Sequence, residues 1–380
     1  MGFDFYTEFV VQSRADVDQL TRGSGRYKEI LDVFSRALLL STVFSLSTRF
    51  PDHQGKPDKI NPKDYARSGE RNILSGLKLL VHSSKSFNLA INCSLLQMAI
   101  LDLTKRPALD GLPKGSWLLE FPVTLSKPFI SRDDIPFYII DNPVRKDKVF
   151  AVPFISAAAW KGNLRWVMMK IDLEPKTDDC DAFASSRFRH TLLFGTEKGL
   201  EEVPKGWVRY LDELCPEATK IYKNKLQKHF QLVEDALPHI RGMLHFYPTF
   251  WNYIDMGVIN PHNRQTGAGT IPIHFETVPV GATGVFRLVY VPFYWLNFSD
   301  TERISHSLQD LSCVVMGLEG LMLTYGFSAK KSSGFGVIED SWSPSASNIT
   351  IVGLTDKPGQ FGNFKELSCW VECMQKEAVK

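Results

Sequence analysis

The chain has 380 residues, of which 44% are apolar, 23% charged and 12% aromatic, with 26 Phe and 8 Trp. That composition supports a large buried core and excludes a mainly disordered chain, and the length suits one large domain or two medium ones. Lysine plus arginine (44) against aspartate plus glutamate (42) gives a formal charge of +2. Bulk charge therefore announces neither a nucleic-acid nor a membrane partner, and any such surface must come from local clustering.

Residues 1–113 read as mainly helical. Ile30, Phe34 and Leu38 keep helical spacing, as do Ile73, Leu77 and Leu80 with Val81. The first residues lack a basic stretch followed by an apolar one, so no signal peptide is expected. The apolar runs at 37–46 and 95–103 are broken by polar residues and too short for a membrane span. A polar loop at 51–62 and a breaker at 107–114 punctuate this region.

At Trp117, Leu119, Phe121, Val123 and Leu125 the texture changes to strand alternation. A long loop, 126–152, carries Asp133, Asp134, Asp141 and Asp147. Pro153 ends it, and Ser156 is placed to cap a helix running to about Met169. Residues 173–240 read as an insertion, with an acidic loop and then a charged helix around 216–236. Strands are expected at 242–250, 270–279 and 284–293.

The clearest helix follows, with Thr301 as its expected cap and Ile304, Leu308, Leu311, Val315, Leu318 and Met322 on one face. Gly326 stops it. A glycine- and lysine-rich loop, 328–336, leads to a short strand at 337–339, and 341–380 adds loop and a final helix. The order predicts an α+β fold: a ferredoxin-like (RRM-like) domain over 114–340, interrupted at about 173–240 and preceded by a helical extension, 1–113.

Six cysteines, at 93, 180, 215, 313, 369 and 373, are scattered, so no disulfide framework is expected and the cytoplasm is the expected compartment. Cys369 and Cys373 lack a second ligand pair and read as packing residues; no metal site is read. His245, His262 and His274 fit hydrogen-bonded or core histidines better than zinc ligands, and no Gly-x-Ser-x-Gly elbow marks a serine hydrolase.

Two segments carry chemistry. In VPFISAAAWKGNLR, Lys161 and Arg165 fall at i and i+4 on one helix face, beside a loop with Arg145, Lys146 and Lys148. The pattern suits a phosphate-backbone contact, although spacing alone favours a solvated basic face. In YGFSAKKSSGFGVI, small residues let backbone amides approach an anion while Lys330 and Lys331 add charge. The loop lacks a Gly-Lys-Ser/Thr ending and follows a helix rather than a strand, which disfavours NTP or dinucleotide binding.

The pairing of these two segments resembles the repeat-associated mysterious protein (RAMP) superfamily, the RNA-binding subunits of CRISPR effector complexes. Lys161, Gly162, Leu164 and Arg165 match its helix-opening motif, and Lys331, Ser332, Gly334, Phe335 and Gly336 match its Gly-rich loop. The chain departs from the family at 157–160, where Ala-Ala-Ala-Trp replaces Gly-Ser-Ser-Leu and removes the serine hydroxyls. Asn260-Pro261-His262 and the block 272–279 are similar to the subfamily that caps one end of the backbone filament in type III complexes. The matches cover roughly 115–340.

The resemblance implies a backbone subunit that holds guide RNA (crRNA) by its phosphates, with complementary target RNA opposite and other CRISPR effector subunits alongside; no membrane is involved. Lys161, Arg165, Lys330, Lys331, Ser332, Gly334 and Gly336 would face RNA, and His262 and Arg264 would extend the groove. Asp141, in an Asp-Asn-Pro-Val context twelve residues before Pro153, resembles the cleaving aspartate of related subunits. It would cut bound target RNA with Mg²⁺ or another divalent cation; the alternative is a turn aspartate. A rival role, a stand-alone endoribonuclease processing repeat RNA, usually needs a histidine early in the domain, and none lies between Gly115 and Trp166.

Overall fold

Alternating apolar side chains make Trp117–Thr124 a strand (β1). It lies inside a four-stranded antiparallel sheet in the computed structural model. The structure describes residues 4–46, 49–50, 60–70, 73–83, 85–134, 138–196, 206–232, 239–261, 265, 267, 269 and 272–378. Further strands are β2 (Leu244–Phe246), β3 (Asp255–Ile259), β4 (Ile273–Thr277), β5 (Thr283–Tyr290) and β6 (Asn348–Ile351). The main sheet runs β6-β1-β5-β2, with Trp117 opposite Tyr290, Glu120 opposite Asn348 and Leu244 opposite Tyr290. Strands β3 and β4 form a separate hairpin, so the strand expected at 270–279 exists but stands outside the main sheet.

The expected strand at 337–339 shrinks to one bridge, Ile338 with Leu125, and the sheet edge is instead β6 from the C-terminal tail. The loop leaving Gly336 brings the chain in only at the end of β1, where Glu339 donates to Thr124. The tail then supplies Ile349 and Ile351, both fully buried.

Five helices matter for the site: α1 (Ala157–Met168), α2 (Cys180–Phe194), α3 (Pro216–Phe230), α4 (Asp300–Glu319) and α5 (Phe364–Ala378). Helix α1 follows β1 and α4 follows β5. Their apolar sides, Trp160, Leu164 and Val167 on α1 and Leu308, Leu311, Val315 and Leu318 on α4, share one core with Leu119, Phe121 and Val123. The opposite sheet face is covered too. Leu118 and Val289 pack under Leu109 and Leu112, and Glu120 pairs with Arg106 and Arg287. This explains why β1 is buried on both faces despite its alternating sequence.

Helix α4 is capped by Ser299, two residues before the expected Thr301. The Ser299 hydroxyl accepts from the Glu302 amide while the Glu302 carboxylate takes the Ser299 amide, closing a capping box that Thr301 cannot form.

The described part of the insertion is mainly helical, with its own small core of Met169, Leu173, Phe183, Leu211, Tyr222 and Leu226. Arg189 of α2 ties it to α4 through Asp310, whose other oxygen takes the Tyr290 hydroxyl at 2.6 Å. Burial pushes the Asp310 carboxyl above the usual carboxylate range. The described part of the N-terminal region is mainly helical, with helices Arg14–Arg22, Val33–Leu39, Pro62–Ser68 and Ser86–Ile100.

Candidate nucleic-acid interface

Helix α1 begins where the Ser156 hydroxyl accepts the Ala159 amide at 3.2 Å. Burying Trp160, Leu164, Val167 and Met168 fixes its rotation. Lys161 and Arg165 then lie half-buried on one flank. At about 100° per residue, Asn163 and Trp166 fall on the opposite flank, roughly 150° round the helix. Gly162 sits on the exposed ridge between, with open space where a side chain would project.

The lysine loop docks on that second flank. Lys331 Nζ donates to Asn163 Oδ1 at 2.5 Å and lies 4.7 Å from the centre of the Trp166 ring. This burial pushes its ammonium below the ordinary lysine value. Asn163 also donates to the Phe327 carbonyl. So the two predicted segments are neighbours, yet their cations flank one helix rather than share a face. Lys330, Ser332 and Gly334 are exposed at the loop tip, with Lys330 Nζ 5.9 Å from the Phe275 ring.

The base of the loop is a backbone clasp. The Gly336 amide donates to Pro128 and its carbonyl accepts from Phe327, while Ser328 exchanges hydrogen bonds with both backbone groups of Ile130. Gly336 has φ +73°, and an added Cβ would stand 2.6 Å from the Ser328 amide nitrogen, so only glycine fits. Being buried, Gly336 shapes the loop and does not present a contact surface.

On the first flank, burial and then the charges of Arg241 and Lys161 push His245 below its ordinary value. In the loop after β1, Arg145 is exposed over the Phe154 ring, but Lys146 is buried and ion-paired with Glu276. Lys146 is thus removed from the basic cluster expected there. His262 and Arg264 lie outside the described residues.

Asp141 stands apart from this helix. Its carboxylate, about two-thirds exposed, accepts from Arg67 at 2.7 Å, and Arg67 also donates to the Ile139 carbonyl. It borders a cleft of about 520 Å³ with Asp133, Asp134, Arg132 and Lys63. Among the described residues no three His, Cys, Asp or Glu side chains converge to hold a metal ion. The described side chains around Asp141 therefore do not by themselves form a ligand set for a divalent cation.

No family model and no curated protein matches the sequence. Solved structures do. The chain is similar in structure to subunits of type III CRISPR complexes. One match comes from type III-B Cmr-beta bound to cognate target RNA, at 12% identity over 88% of this chain and 97% of that one, with a TM-score of 0.44. Another comes from the Csm3-Csm4 subcomplex of the type III-A CRISPR-Cas interference complex, at 12% identity over 69% and 97%, with a TM-score of 0.33. A third is from a CRISPR RNA-guided surveillance complex, at 12% identity over 62% and 77%, with a TM-score of 0.32.

Three residues that position the site escaped the sequence reading. Glu276 accepts from Tyr138, the Val144 amide and Lys146. Its only signal was a carboxylate inside the apolar run 272–279. Asn163, inside the VPFISAAAWKGNLR segment, and Trp166, directly after it, seat Lys331, and neither carries a charge that marks it in the sequence.

Proposed function

We propose that this chain is a guide-RNA-binding backbone subunit of a type III CRISPR ribonucleoprotein in the cytoplasm, built on a ferredoxin-like domain. The sheet order β6-β1-β5-β2, with α1 after β1 and α4 after β5, supports that description of the fold. The observation that carries the function is the ridge of α1. A phosphate strand laid over Gly162 meets Lys161 and Arg165 on one side and Lys331 on the other, with Lys330 at the loop tip. Contacts of this kind read backbone and shape, leaving sequence choice to base pairing with target RNA.

The test is guide-RNA binding measured across a salt series. Lys161→Glu with Arg165→Glu, and separately Lys330→Glu with Lys331→Glu, should each weaken binding. Each pair should also flatten the plot of log affinity against log salt by about 1.4, or roughly 0.7 per lost phosphate contact. An unaltered slope in both double variants overturns the proposal. Cleavage of repeat RNA by the isolated chain would instead favour the processing role.

A cleaving version of the same reading is favoured by the exposure of Asp141, whose carboxylate can accept the proton of a ribose 2′-OH once released from Arg67. Its pairing with Arg67 favours the scaffold. In the assembled complex with Mg²⁺ and matched target, Asp141→Ala is expected to leave the cleavage ladder intact. Loss of one rung would assign the cut to Asp141.

A further inference from the structure

Away from α1, the insertion and the segment after β5 enclose a second cleft of about 520 Å³. Lys225, Lys228 and His229 of α3 line one wall, and Tyr294, Asn297 and Phe298 line the other. Neither Lys225 nor Lys228 forms an ion pair among the described residues. Phe298 is 37% exposed, held edge-on by Trp295 and His306. Burial and then the charge of His306 push His229 below its ordinary value, so the positive charge here belongs to the two lysines.

Contacts link one wall of the cleft to the α1 flank. The Tyr294 hydroxyl donates to the Arg241 carbonyl at 2.7 Å, and the neighbouring Phe293, 40% exposed, meets the His245 ring edge-on at 5.8 Å. His245 in turn feels the charges of both Arg241 and Lys161. Exposed aromatic rings interleaved with cations thus run from Lys161 to Lys228.

We propose that this cleft binds an unpaired nucleotide of the RNA strand that leaves α1, its base stacked on Phe298 and its flanking phosphates held by Lys225 and Lys228. The assignment rests on the RNA-binding reading above and extends it to a site on the insertion. An aromatic face accepts any base, and two ammonium groups with no ion pair among the described residues match a sugar-phosphate backbone. A cleft of this size accommodates a group of nucleotide dimensions.

The experiment uses the full chain with a fluorescent single-stranded guide RNA and a salt series. Lys225→Glu with Lys228→Glu should flatten the salt slope by about 1.4. Phe298→Ala should weaken binding about five- to one-hundredfold while Phe298→Trp retains it, because stacking needs a ring and not that ring. Guide RNA carrying 4-thiouridine should crosslink to the peptide containing Tyr294 and Phe298. If wild-type chain binds no RNA, the functional reading fails and takes this one with it. If wild-type binds and the Lys161 variant is weakened, but the Lys225/Lys228 and Phe298 variants are not, this inference alone is overturned. RNA binding that stays intact while assembly with neighbouring subunits is lost would assign the cleft to an acidic protein surface and equally overturn it.

Discussion

Glu276→Ala should cost the chain about 3–5 kcal/mol of stability, the range for breaking a buried ion pair from one side. The carboxylate is fully buried and takes the Tyr138 hydroxyl, the Val144 amide at 3.1 Å and the Lys146 ammonium. Lys146 is itself 9% exposed, so removing Glu276 strands a buried cation against the Tyr138 ring, 4.8 Å away. It also leaves a hydroxyl and an amide without acceptors. Glu276→Gln keeps the shape and an acceptor but not the countercharge, and should fall between wild type and alanine. Glu276→Leu combined with Lys146→Met should recover the share of the loss due to the stranded cation, while the Tyr138 hydroxyl and Val144 amide still lack an acceptor. Thermal melts of the three variants beside wild type decide it. An alanine variant melting with wild type, or a double variant worse than the single, would contradict the account. The consequence reaches the site, because Glu276 pins the 138–146 loop that carries Asp141.

How much of this was legible in the sequence follows from what sequence encodes. Strand β1 and helices α1 and α4 announce themselves because a period of 2 or 3.6 is a local property, readable from Trp117, Leu119 and Phe121 or from Leu308, Leu311 and Val315. Neighbouring cations are also legible, so Lys161 with Arg165 and Lys330 with Lys331 were found. Their relative placement was not. Whether Lys331 shares the face of Lys161 depends on the docking of Phe327 and Asn163, 164 residues apart, and no local pattern states that. For the same reason Lys146 read as one of three surface cations, when its partner Glu276 arrives from a strand 130 residues later. Asp141 reads as a cleaving or a turn aspartate, and its ion pair is not legible because Arg67, 74 residues earlier, lies in a region without a motif. The misplaced cap differs in kind. Ser299 and Thr301 are both competent N-caps, and only the Glu three residues after Ser299 distinguishes them.

Trp160→Ala should be the other large loss, about 3–5 kcal/mol for emptying a fully buried tryptophan site. Trp160 stands where the resembled family carries leucine, and the structure shows what the larger ring does. Its Nε1 donates to Thr249 at 3.0 Å, and its ring stands edge-to-face with Phe286 at 5.1 Å and tilted against Phe327 at 4.6 Å. Phe327 is the first side chain of the lysine loop, so one ring joins the start of α1 to the loop. Trp160→Phe fills most of the space and loses one hydrogen bond, about 1 kcal/mol, because the Thr249 hydroxyl still donates to the Val285 carbonyl. The two variants separate packing from RNA binding. Trp160 is fully buried and cannot touch RNA, yet in alanine the loop loses its seat and Lys331 its fixed approach to Asn163. Guide-RNA affinity measured well below the melting temperature should therefore fall in Trp160→Ala, with a salt slope flatter by about 0.7 for one lost phosphate contact, and stay near wild type in Trp160→Phe. A destabilised Trp160→Ala chain that binds guide RNA with wild-type affinity and slope would show that the loop's position against α1 is irrelevant to RNA, and the ridge over Gly162 would lose its role.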